Sequence, residues 1–108
     1  MAYRKLQAKK LSNEEIEELS RKIIEVVERE LEEKSKDRVT GDIVVLVNIV
    51  EDWPLLVEVE VEFGGRYDFN EKEALHEILD RIFSCIDEYM KNKGYEVSLD
   101  VKVWHETG

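Results

Sequence analysis

Asp42-Ile43-Val44-Val45-Leu46-Val47-Asn48-Ile49-Val50-Glu51-Asp52 holds a strand-length run, Ile43 to Val50, that is apolar at every position but Asn48. It lies in a chain of 108 residues of which 39% are charged. β-Branched residues dominate it and favour an extended backbone. A strand with one wet face alternates polar and apolar side chains, because neighbours point to opposite faces. Here both faces are apolar. The segment therefore predicts a strand at the centre of a sheet whose second face is either tolerated in water or kept for a partner.

Downstream, Glu51-Asp52-Trp53-Pro54 interrupts the run, and Leu55-Leu56-Val57-Glu58-Val59-Glu60-Val61-Glu62-Phe63 follows with period two. Leu55, Val57, Val59, Val61 and Phe63 share one face; Leu56, Glu58, Glu60 and Glu62 share the other. The short break predicts a β-hairpin. Gly64-Gly65 reads as the end of the second strand. Asn70 then caps a helix with Glu73 three residues on, and Ala74, Leu75, Ile78, Leu79, Ile82, Phe83, Cys85, Ile86, Tyr89 and Met90 form a broad apolar face. Lys91, Lys93 and Gly94 are stop signals. From Tyr95 to His105 the chain alternates again, with Tyr95, Val97, Leu99, Val101 and Val103 inward and Glu96, Ser98, Asp100, Lys102 and Trp104 outward.

Upstream, Thr40-Gly41-Asp42 is turn chemistry. Ser12 with Glu15 is a capping box, flanked by Leu11 and Ile16 as a hydrophobic staple. Ile16, Leu19, Ile23, Ile24, Val26, Val27 and Leu31 then recur at helical spacing, and the helix is expected to end within Lys34–Arg38. Residues 1–10 carry Arg4, Lys5, Lys9 and Lys10 and read as a flexible basic tail, so the predicted domain is 11–108.

The predicted order is helix, strand, strand, helix, strand. We expect an α+β two-layer sandwich: a three-stranded sheet in the order 2-1-3 with both helices on one face. The opening segment then lies in the middle, with Ile43, Val45, Val47 and Ile49 in the core. Val44, Leu46 and Val50 lie on the outer face, where Leu56 and Trp104 join them as a candidate interaction surface.

The totals limit function. The formal net charge is −10, which repels phosphate backbones and anionic membranes and admits a basic partner. No apolar run approaches the ~20 residues that span a bilayer, and the N-terminus carries no apolar core of a signal peptide. The expected location is the cytoplasm. One cysteine, Cys85, excludes an intrachain disulfide. Abundant Glu and Lys beside a single glutamine, Gln7, is the thermophile tendency, so a thermostable protein is expected.

No convergent catalytic set emerges. His76-Glu77-Ile78-Leu79-Asp80 has the outline of the His-Glu-x-x-His zinc helix with Asp in the last place, but no third ligand is implied, and a solvated polar face explains it. Cys85 lacks a nearby base and reads as core. Glu58, Glu60 and Glu62 form a carboxylate row that suits an exposed strand better than a buried acid–base pair. Gly64-Gly65-Arg66 is too short for a phosphate loop. We expect no enzyme activity, no cofactor and no metal.

Two resemblances bear on this reading. The element order is similar to that of the second type of RNA-binding KH domain, but that family's Gly-x-x-Gly loop between helices is missing and no functional residue carries over. The run Lys10-Leu11-Ser12-Asn13-Glu14-Glu15-Ile16-Glu17-Glu18-Leu19-Ser20, with Thr40-Gly41-Asp42 and the hairpin, resembles a family of short archaeal proteins of unknown function over residues 10–103. The resemblance implies an archaeal cytosolic protein associated with translation, tRNA-modification or protein-folding machinery, and it transfers no catalytic residue. The expected function is a non-enzymatic protein-interaction module, either a homo-oligomer or a small subunit of a larger assembly. Its partner, itself or another protein, would dock on the open sheet face. The alternative is an RNA-associated accessory protein using the basic tail.

Overall fold

The computed structural model describes residues 11–50 and 55–106. The tail at 1–10 and the break at 51–54 lie outside the described residues. The elements are α1 (Asn13–Lys34), β1 (Val39–Val50), β2 (Leu55–Arg66), α2 (Glu71–Asn92) and β3 (Val97–His105).

Local chemistry sets both helix starts. Ser12 accepts from the Glu15 amide, and the Glu15 side chain accepts from the Ser12 amide, closing the capping box. Asn70 accepts from the Glu73 amide at the start of α2. At the far end of α1, Ser35 is fully buried and its hydroxyl donates to Asp68 Oδ1, while the Asp68 amide donates back to Ser35 Oγ. That pair clamps the exit of α1 to the entry of α2.

The architecture is the expected α+β sandwich. α1 packs on β1, α2 packs on β3, and the helices pack on each other. Leu19, Ile23, Val27 and Leu31 of α1 and Ile78, Ile82, Ile86 and Met90 of α2 meet Val57, Val59, Val61 and Phe63 of β2 in one core. The helix layer is tied by Glu30 of α1, which pairs with Lys34 and with Arg81 of α2, and by Lys34, which also pairs with Glu77. The Tyr89 hydroxyl donates to Glu18 Oε1, and burial pushes its ionisation well above the usual range.

The strand order differs from the expected 2-1-3. It is β1-β2-β3, with β2 in the middle. β1 pairs antiparallel with β2, as a hairpin requires, but β3 pairs parallel with β2 and does not touch β1. The physical reason lies in the crossover. A β-α-β connection to the neighbouring position moves the chain one strand spacing, about 4.8 Å, whereas passing over β1 doubles that. The end of β3 also locks onto β2: the His105 ring stacks on Phe63, its Nε2–H donates to the Gly65 carbonyl, and the Glu106 amide donates to the Phe63 carbonyl.

This order redistributes burial. The inner side chains of β2 lie beneath both helices and are at most 3% exposed, while Ile43, Val45, Val47 and Ile49 of β1 are only half-buried. β2 also runs on through Gly64-Gly65 to Arg66. Gly65 has a φ of 106°, and a Cβ there would lie 2.2 Å from the Val39 carbonyl oxygen, so only glycine fits this close passage of the hairpin strands.

Candidate interaction surface

Nothing in the described chain covers the outer face of the sheet. Register turns that face into four rows. Each crosses β1, β2 and β3 in turn: Val44, Glu62 and Trp104; Leu46, Glu60 and Lys102; Asn48, Glu58 and Asp100; Val50, Leu56 and Ser98. The five residues expected to form an interaction surface all lie in these rows. Leu46 is 60%, Val44 49% and Trp104 41% exposed. Val50 and Leu56 are half-buried and neighbour one another at one end.

Because β2 and not β1 is central, these apolar groups do not merge. The carboxylates of Glu58, Glu60 and Glu62 run down the middle, with Val44 and Leu46 on the β1 side and Trp104 on the β3 side, about two strand spacings or ~10 Å away. The Asn48 amide donates to Glu58 Oε1 at 2.7 Å. A shallow depression of about 210 Å³ opens at the centre of the face, between Leu46, Asn48, Glu58, Glu60, Asp100 and Lys102.

The other candidates are placed as follows. His76 Nε2 lies 3.8 Å from Asp80 Oδ2, with both side chains largely in water. Among the described residues, no group of three His, Cys, Asp or Glu side chains converges closely enough to hold a metal ion. Cys85 is a free thiol in the groove between the helices; burial pushes its ionisation up, outweighing the opposing pull of Lys22. That makes it a poor nucleophile. The groove itself is lined by Lys22, Arg29 and Arg81 interleaved with Glu25, Glu33 and Glu88.

His105 is not among the residues that sequence reasoning picks out, yet it is the most closely held polar group at the α2 end of the sheet. Its side chain is 7% exposed. Nε2 donates to the Gly65 carbonyl, and Nδ1 lies 2.5 Å from Glu71 Oε1. Tyr67 meets the same ring edge-on and donates its hydroxyl to the Gly64 carbonyl. The signal that could have found it is parity: His105 follows Val101 and Val103 at period two, which places it on the inner face.

No described helix is long and apolar enough to cross a membrane. No protein-family model and no curated protein matches the chain. Among solved structures it is similar to the hypothetical protein mth677 from Methanothermobacter thermautotrophicus, solved in solution, with a TM-score of 0.55 and 17% identity over 80% of this chain and 96% of that one. At that identity the likeness is one of fold: the helix-strand-strand-helix-strand sandwich is shared with an archaeal protein.

Proposed function

We propose that this chain is a non-enzymatic protein-interaction module of an archaeal cytosol, docking a partner on the outer face of its sheet. The observation that carries the reading is the exposure of Leu46, Val44 and Trp104 on the one broad face that neither helix covers. Leu46 stands clear of the core that holds the fold together, so its exposure is not a requirement of folding. The fold likeness to an archaeal protein and the Glu- and Lys-rich composition support the setting.

Absolute mass by light scattering on a sizing column, at low and high salt, tests the reading together with Leu46→Lys. The substitution leaves the fold intact and removes any association the parent shows, with itself or with a protein captured from native extract. A variant that assembles like the parent overturns the sheet face as the docking surface. The RNA-associated alternative rests on Arg4, Lys5, Lys9 and Lys10, outside the described residues, and gains nothing from an acidic sheet face.

A further inference from the structure

We infer that the occupant of this face is a basic, amphipathic segment of another protein, with Lys or Arg along its middle and apolar side chains on its flanks, and not a second copy of this chain. The inference rests on the reading of the open face as a docking surface and names its partner.

The register carries the argument. Glu58, Glu60 and Glu62 repeat every two residues along β2, about 6.8 Å apart, and Asp100 stands beside Glu58. Lys102, beside Glu60, is the one cation in these rows. Four carboxylates against one ammonium leave a negative stripe down the centre. Apolar side chains stand on both of its sides, Val44 and Leu46 on β1 and Trp104 on β3. A helix is about 10 Å across, which matches the ~10 Å between the two flanks. Its i, i+4 side chains repeat at about 6 Å, close to the carboxylate spacing. A helix with a cationic midline and apolar shoulders thus meets charge with charge and apolar with apolar.

A second copy fails the same comparison. Two sheets stacked face to face lay their central strands across each other. Here that sets Glu58, Glu60 and Glu62 against the same three residues of the other copy. Like charges brought together out of water are strongly unfavourable.

The test titrates the full chain with two synthetic helical peptides of about 18 residues. One carries leucines flanking a lysine midline; the other has Glu in place of each Lys. Amide shifts locate the site. The Leu/Lys peptide is expected to perturb the outer rows of all three strands. Its binding should weaken roughly tenfold or more in Leu46→Ser and about two- to fivefold in Glu60→Gln. Glu88→Gln, in the helix groove, should leave it unchanged. The Leu/Glu peptide should not bind. Equal binding of both peptides, no binding of the Leu/Lys peptide, or binding indifferent to Leu46→Ser overturns the inference. A parent dimer that Leu46→Lys dissociates overturns the basic partner while keeping the face as a docking surface. If Leu46→Lys changes neither mass nor peptide binding, both readings fall.

Discussion

The two faces of β2 are one residue apart in sequence and opposite in kind. Val57, Val59, Val61 and Phe63 point inward and are essentially inaccessible to water. Glu58, Glu60 and Glu62 alternate with them on the outward face, where Glu58 and Glu60 line the shallow depression. The inner face commits its side chains to packing, with both helices closing over it. The outer face contributes none of its own side chains to the core. A central strand that is dry on one face and acidic on the other separates stability from the proposed recognition within a single alternating segment.

That separation is most directly challenged by neighbouring substitutions. Phe63→Ala removes a fully buried ring that also supports His105, and it should cost about 3–5 kcal/mol. Glu62→Ala, the adjacent residue, should stay within about 0.5 kcal/mol. Urea unfolding of both variants measures the contrast. Comparable losses would show that the outer face is part of the stabilising structure.

The end of the sheet gives a smaller effect. His105→Ala removes the ring that donates to the Gly65 carbonyl and contacts the Glu71 carboxylate, and should cost about 1–3 kcal/mol in the same assay. A neutral result would mean that the stack on Phe63 and the strand ladder hold β3 in place unaided.

On the outer face the expected signs change. Glu60→Gln relieves repulsion along the carboxylate row and should raise stability by a few tenths of a kcal/mol. A fall in the melting temperature would mean that Glu60 makes a net favourable contact with its neighbours, Lys102 foremost.

The smallest effect is in the acid limb of stability. The Ser35 hydroxyl holds the Asp68 carboxyl below its usual range. A group depressed in the folded state stabilises above its unfolded value, and the contribution is lost as pH falls through the folded one. Ser35→Ala should therefore make the decline of melting temperature below about pH 4 shallower. An unchanged slope would place the acid sensitivity elsewhere, with Glu77, held low by Lys34, the next group to test.

Much of the molecule is legible in its residues alone. Ser12 and Glu15 form the capping box their spacing announces, because a cap is satisfied within four residues. The inward set of β2 is the set its alternation names. Strand order is not legible in this way. The apolar richness of β1 suggests the centre, yet β1 is an edge strand whose Val44 and Leu46 remain in water. His105 is readable only as a parity, and its partners Glu71 and Gly65 lie 34 and 40 residues away in the chain.

The sequence by itself determined the kinds of elements, their caps and which side chain of each strand turns inward, because these follow from backbone geometry over a few residues. Tertiary structure alone decided which strand sits in the middle. Period two states that a residue faces the core or the solvent, but not which strand lies beside it. That choice came from the crossover, from the two helices meeting above β2, and from His105 fastening β3 to its end. It is also what set the acidic row between the apolar flanks of the open face.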